Sequence, residues 1–427
     1  MQTVARLMLL TALLAVSQVS RAQLDCDSVV TINGGAIEVA ATAGDDGANI
    51  QCALEAAARN QFGSVVLTSP EYSISSNVFV DGFTGELRGR SIASTRLVLQ
   101  DFSLSCDEDR AGALSFSNGF GTTIRFMTVD VGTPCTGVTG ELNVIQFITD
   151  PANCGDRTTF GTVDRVAIRG LGIDGGDFVN GVNMFAASGC DQRILGTLKV
   201  NRSTFESLDI GVVSGIGGNG QVDINFNMFT TVGIPIALRD AGQSTTILGN
   251  EIEYNNAEYS AEIYGRIGIV IASSAESPEQ NSTTIKNNVF RNLVTNISGI
   301  GVAIEESDKA IDHNVVITGN VFFGAPNGVP ADIGAGILTA GTNGGVISGN
   351  SFSGGTRAWV AITPSASARS TVSRWSVVGN DFSQSTADVD IQLQGVTSSV
   401  IGRSQGNPTY LDSSGENDIL EGIDLAP

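Results

Sequence analysis

The sequence predicts an all-β fold: a right-handed, single-stranded parallel β-helix of roughly ten coils with an N-terminal capping helix. Three observations carry that expectation. A six-residue phrase recurs along the second half of the chain, a short strand of alternating polarity follows most copies of it, and 52 glycines supply the bends such a solenoid needs.

The phrase is an apolar residue, two variable residues, Asn, one variable residue and a large apolar residue. Its copies are Ile224 to Phe229, Ile247 to Ile252, Ile285 to Phe290, Ile317 to Phe322, Ile347 to Phe352 and Val377 to Phe382. Upstream, Val200 to Phe205, Ile168 to Ile173 and Ile124 to Val129 keep the apolar frame without the Asn. Asn227, Asn250, Asn288, Asn320, Asn350 and Asn380 are separated by 23, 38, 32, 30 and 30 residues, too irregular for helical or leucine-rich repeats but natural for coils with loops of varying length. Asn tolerates the left-handed backbone of a sharp bend. With coils about 4.8 Å apart, one Asn per bend forms an internal amide ladder, and the Phe two residues on forms an inner stack.

The second strands alternate with period two at Ile234 to Leu238, Ile267 to Ile271, Ile300 to Ile304, Val360 to Ile362 and Val389 to Leu393. Near the start, Ile50, Ala53, Leu54, Ala57 and Ala58 share one helical face, with Asp46 as the expected N-cap. A helix there would lie across the open end of the solenoid and cover its strand edges. The expected organisation is a signal peptide over 1–22, an N-terminal cap with a helix over about 47–60 and the first strands over 23–80, the β-helix over 81–405, and a C-terminal cap or tail over 406–427.

Arg6, the apolar run Leu7 to Val16 and the Ser20-Arg21-Ala22 end have the form of a cleavable secretory signal, which places the protein outside the cell or in a periplasm. No later run reaches the length of a membrane span, so no membrane insertion is expected. All six cysteines lie in the first half, an even number in an exported chain, and point to disulfides. Pairing of neighbours, Cys26 with Cys52, Cys106 with Cys135 and Cys154 with Cys190, is the expectation among 15 connectivities. The chain carries 23 basic and 44 acidic residues, and its net charge of −21 repels nucleic acid. A polyanion would need a local basic cluster or bridging cations.

The order of features is informative: an acidic-Gly loop at Asp45-Asp46-Gly47, a helix, the strand and tyrosine turn VVLTSPEYSIS, a Leu-x-Gly coil at Leu87 to Gly89, then the Asn repeats. It resembles the pectin-lyase-like superfamily of right-handed β-helices over nearly all of 36 to 405. That resemblance implies the fold and a carbohydrate-related surface rather than one chemistry. The superfamily's polygalacturonase-type hydrolases use Asn-x-Asp, Asp-Asp, Gly-His-Gly and Arg-Ile-Lys motifs. Here Asn-x-Asp is absent, the one Asp-Asp lies in the cap, and the single histidine, His313, sits between Asp312 and Asn314 on what reads as a loop. The Asp-Pro-His of alginate epimerases is absent too.

β-Elimination asks for less: an Arg, Lys or Tyr base near the sugar C5 proton, and a cation or guanidinium to neutralise the uronate. The coil between Asn250 and Asn288 holds Tyr254, Tyr259, Tyr264 and Arg266. Arg266 and Tyr264 are base candidates, and Arg239, Tyr254 and Tyr259 are candidates to bind substrate. Asp240, Glu305 and Glu306 are candidates to hold calcium, the one cofactor this chemistry would use. Arg239 and Glu305 are 66 residues apart, so two coils of about 33 would bring them into one outward stripe. Two readings follow. One is a secreted, monomeric carbohydrate-active protein whose partner is a polysaccharide, with lyase chemistry ahead of hydrolysis if it is an enzyme. The other is a non-catalytic glycan-binding or structural surface protein.

Overall fold

The computed structural model describes residues 26–100, 112–132, 141–148, 159–170, 178–185, 196–215, 220–239, 244–253, 266–273, 282–291, 299–306, 311–324, 335–355, 358–363, 372–413 and 416–419. Most full coils contribute three strands, and on two early coils the first two run together as Phe120–Val131 and Thr159–Arg169. Two of the three, such as Gln221–Asn225 and Met228–Thr230, meet at a sharp bend and belong to a broad sheet of 25 strands. The third, such as Ile234–Arg239, belongs to a sheet of 12 strands that runs from Val78–Asp81 to Tyr410–Asp412. Twelve rungs replace the ten or so expected from the phrase, because the coils before Val200 lack its Asn. Pairing between coils is parallel throughout, and one antiparallel strand, Val30–Asn33, closes the N-terminal edge against Ala36–Val39. The parallel ladder begins at Ala36–Val39 and reaches Glu416–Ile419.

Helix α1 (Gly47–Asn60) buries Ile50, Ala53, Leu54 and Ala57 against the first coil and stops at Gln61, which is left-handed. Its entry corrects one expectation. Asp46 makes no side-chain cap; its backbone is already helical, and its carboxylate accepts hydrogen bonds from Thr42 N at 2.6 Å, Thr42 Oγ1 at 2.8 Å and Ser73 N at 3.0 Å. A capping side chain needs an extended backbone to turn back on its own helix, and Asp46 instead ties the preceding loop to the strand Glu71–Ile74. Asp45 receives the helix amide Gly47 N at 3.0 Å, along with Ser75 N at 3.0 Å and Ser76 Oγ at 2.6 Å. Burial pushes the Asp45 carboxyl up, but these hydrogen bonds together outweigh it and hold it below its ordinary value. A group depressed in the folded state stabilises above the ordinary carboxylate range, and the contribution fades as pH falls through the folded value. Asp45→Asn is therefore expected to lower the thermal midpoint at pH 7, with the gap to the parent closing as pH falls below the ordinary carboxylate range. Thermal denaturation across pH checks this; a gap that persists in acid would assign the effect to packing.

Cys26 and Cys52 are bonded, with Cα atoms 5.9 Å apart, and the disulfide ties the N-terminal segment to α1. Cys106, Cys135, Cys154, Cys190 and the signal segment 1–22 lie outside the described residues. Among those described, no helix is long and apolar enough to cross a membrane.

The inner columns follow the phrase. The Nδ2 groups of Asn227, Asn250, Asn288, Asn320 and Asn350 each donate to the Oδ1 of the next Asn at 2.9–3.0 Å. That same Oδ1 also accepts the backbone N–H of the preceding Asn. Each Nδ2 spends its second hydrogen on a strand carbonyl, as in Asn288 to Ile247 O at 3.0 Å. The ladder runs one rung further upstream than the Asn pattern, because Ser203 N donates to Asn227 Oδ1 at 2.9 Å while Ser203 Oγ accepts from Val166 N at 3.2 Å. Phe290, Phe322, Phe352 and Phe382 stack with centroids 4.6, 5.0 and 4.9 Å apart, and Phe205 stacks on Phe229 at 4.9 Å.

The left-handed residue is not the Asn but the one before it. Gly249, Gly319, Gly349 and Gly379 take φ of 62–66°, and Phe226 and Asn287 take 59° and 55°. The chain turns one residue early, so that the Asn side chain enters the core while its predecessor points outward. On the earlier coils the same bend is held by Phe126, Arg165 and Arg202, with φ of 60°, 55° and 49°. A bulky residue there costs about 1–2 kcal/mol relative to a right-handed conformation, a strain the downstream glycines avoid.

Candidate functional site

In several strands of the 12-strand sheet two successive residues face the core. In Ile210–Ser214, Gly211 packs under the Phe229 ring and Val212 is fully buried. Counted from Ile210 and the residues that register places beside it, the first and fourth positions lie on the side away from that core. Register stacks the fourth positions as Ser115, Gln146, Asn183, Val213, Ala237, Val270, Ala303, Leu338 and Ala361. The first positions stack as Asn143, Asn180, Ile210 and Ile234. This outer face is amide- and hydroxyl-lined on its early coils and apolar on its later ones.

The polar end is nearly closed to solvent, with Ser115, Asn143, Gln146, Asn180 and Asn183 all buried. Asn143 Oδ1 accepts from Asn180 Nδ2 at 3.0 Å and from Asn183 Nδ2 at 2.6 Å, and Ser115 Oγ donates to Gln146 Oε1 at 3.2 Å. Asn183 Oδ1 has no hydrogen-bond partner among the described residues. Burying an acceptor without a donor is unfavourable by about 1–3 kcal/mol. At its edge Asp81 Oδ1 accepts from Ser117 Oγ and Asn118 Nδ2, both at 2.7 Å. Sequence reasoning missed this cluster, because only strand register brings residues from three separate coils together.

The predicted site residues divide. Tyr254, Tyr259, Tyr264 and Asp240 lie outside the described residues. The backbones of Arg239, Ala272 and Glu305 pair in one column, and Ser273 pairs with Glu306 on the adjacent position. Arg239 and Glu305 thus stand two rungs apart in register, about 10 Å. Arg266 is paired with Gly299 at the other end of its strand, six residues before Ala272. At about 3.3 Å per residue that is roughly 20 Å, so Arg266 does not meet the Arg239–Glu305 column across one sugar ring. His313 lies in the strand Ile311–Thr318, at a break in register between Asp312 and Val315, and not in a loop. Among the described residues no three His, Cys, Asp or Glu side chains group to hold a metal.

No family model matches the chain, and no curated protein matches it. Among solved structures it is similar to the Dettilon tailspike protein, with a TM-score of 0.51 at 12% identity over 88% of this chain and 68% of that one. The chain is a right-handed parallel β-helix. Lower similarity extends to the enzymatically active domain of a bacteriophage CBA120 tailspike protein, with a TM-score of 0.47 at 14% identity over 73% of this chain and 41% of that one. The catalytic domain of a GH87 alpha-1,3-glucanase solved with tetrasaccharides gives a TM-score of 0.44 at 13% identity over 90% and 68% of the two chains. These likenesses are of fold. The β-helix here must be read for function from its own surface.

Proposed function

We propose that this β-helix is a secreted, carbohydrate-active protein that holds a polysaccharide along the outer face of its 12-strand sheet. The observation that carries the reading is the outward column itself. A set of neutral amides and a hydroxyl, with Asn183 Oδ1 unpartnered among the described residues, runs into an apolar stripe of Val213, Ala237 and Val270. A sugar chain offers hydroxyl donors along its edges and C–H surface on its ring faces, so it matches both halves. The Cys26–Cys52 disulfide is consistent with an oxidising compartment.

Lyase-type β-elimination on an acidic polysaccharide is the finer form of this reading. Arg239 would pair with a uronate carboxylate, Glu305, Glu306 and Asp240 would hold calcium, and Tyr264 or Arg266 would take the C5 proton. The roughly 20 Å between Arg266 and the Arg239–Glu305 column favours a second reading, a glycan-binding protein that does not turn its ligand over. Incubation with pectate, alginate and glycosaminoglycans, with and without calcium, separates the two. Rising ultraviolet absorbance from unsaturated products is expected for a lyase. Flat traces with every polymer, alongside retained binding, would leave the binding protein as the function.

A further inference from the structure

Away from the 12-strand sheet, the bend that joins the two strands of the broad sheet has an unusual outer surface on four consecutive coils. Phe126, Arg165, Arg202 and Phe226 occupy its left-handed position there, where the later coils place Gly or Asn. The fold accepts glycine at this position, so packing does not require these side chains. Strain retained where a cheaper residue fits is a mark of function.

Their surroundings have a consistent chemistry. The guanidiniums of Arg125 and Arg165 lie over the Phe126 ring at 4.4 and 5.3 Å. Arg202 is bound to Asp164 at 2.8 Å, with the arginine 53% exposed and the aspartate only 12%. Lys199 pairs with Asp223 at 3.9 Å in the same arrangement, 44% against 17%. Arg88 stacks by register on Arg125 one coil earlier. Cations therefore stand outward with carboxylates tucked beneath them. Within two residues of the four bend positions there are three arginines and one aspartate, in a chain whose overall ratio is 23 basic to 44 acidic residues. At the far end Phe226 is 58% exposed and its ring lies on Gly249, where a Cβ would come within 2.7 Å. Met228 beside it is also exposed. The four rungs span about 14 Å at 4.8 Å per coil.

We infer that this ridge of Arg125, Phe126, Arg165, Arg202 and Phe226 is a second saccharide-binding site, specific for an anionic polysaccharide. The guanidiniums pair with carboxylate or sulfate groups along the polymer, and Phe226 offers a flat apolar platform to a sugar ring face. The ridge supplies the local basic cluster that a polyanion needs to approach a chain of net charge −21. It lies on a different edge of the coil from the 12-strand sheet and rests on none of that sheet's residues.

The test uses the full chain and a triple variant, Arg165→Gly with Arg202→Gly and Phe226→Gly. Glycine is the residue the bend already uses downstream, so relief of backbone strain offsets the loss of the Arg202–Asp164 pair and the variant should stay folded, as its unfolding transition checks. Calorimetric titration with polygalacturonate should show binding to the parent that weakens as salt is raised, and at least about tenfold weaker binding to the variant. Dextran, an uncharged control, should distinguish the two proteins by less than about twofold. Equal polygalacturonate affinity for parent and variant, or equal loss of dextran binding, overturns the inference. Ala237→Trp, which blocks the outer face of the 12-strand sheet, separates this result from the proposed function. If only Ala237→Trp abolishes polygalacturonate binding, the ridge fails and the sheet-face reading stands. If only the triple variant does, the ridge stands and the sheet face is not where this polymer binds. If the parent binds neither polymer, the ridge is overturned.

Discussion

Replacing Asn288 by alanine is expected to destabilise the β-helix by about 3–5 kcal/mol. Asn288 is fully buried in the middle of the ladder. Its Oδ1 accepts from both Asn250 N and Asn250 Nδ2 at 2.9 Å, and its Nδ2 donates to Asn320 Oδ1 and Ile247 O at 3.0 Å. Truncation leaves two donors and a carbonyl without partners inside the core, where water does not replace them. Each such group costs about 1–3 kcal/mol, and mutual polarisation along the ladder adds to the sum. Denaturant unfolding followed by circular dichroism measures the loss. A change below about 1 kcal/mol would mean that the amides are ornamental. Because each coil touches only its neighbours, the variant is also expected to broaden the transition as the two halves lose cooperativity.

Phe322→Ala is expected to cost a similar amount, about 3–5 kcal/mol, by a different route. Phe322 is fully buried between Phe290 at 4.6 Å and Phe352 at 5.0 Å, so truncation opens a void that neither ring can fill without leaving the column. Phe322→Leu should recover most of the loss, since Ile252 already occupies the equivalent place between Phe229 and Phe290. Equal losses for Ala and Leu in the same denaturation experiment would show that ring stacking, and not volume, holds the column.

The ladder and the Phe stack were legible because one side chain repeats at one place in every coil, and a repeat survives irregular loops. The Ser203 rung was not, because serine does the work of asparagine there with a shorter reach. The bend residue was misplaced by one, since Asn is conformationally permissive and chemically useful at the same time and only the backbone angles separate the two roles. Asp46 failed as a cap for the same kind of reason: its composition suited the role, but its partners Thr42 and Ser73 lie on other segments. The two proposed binding surfaces are the least legible part. Ser115, Gln146 and Asn183 come from three coils without the phrase, and Phe126, Arg165, Arg202 and Phe226 are separated by 39, 37 and 24 residues. Nothing in a linear reading marks such residues as neighbours until strand register stacks them. Arg239 and Glu305 could be paired from the coil length, whereas Arg266 could not be placed along its strand without knowing where that strand begins.

The most direct measurement is titration of the intact protein on an array of polysaccharides, acidic and neutral, beside Ala237→Trp. Saturable binding by the parent to at least one polymer is expected, weakened at least about tenfold by a tryptophan placed between Val213 and Val270 on the outer face. A blank array, or equal binding by parent and variant across every polymer, would contradict a carbohydrate-holding sheet face.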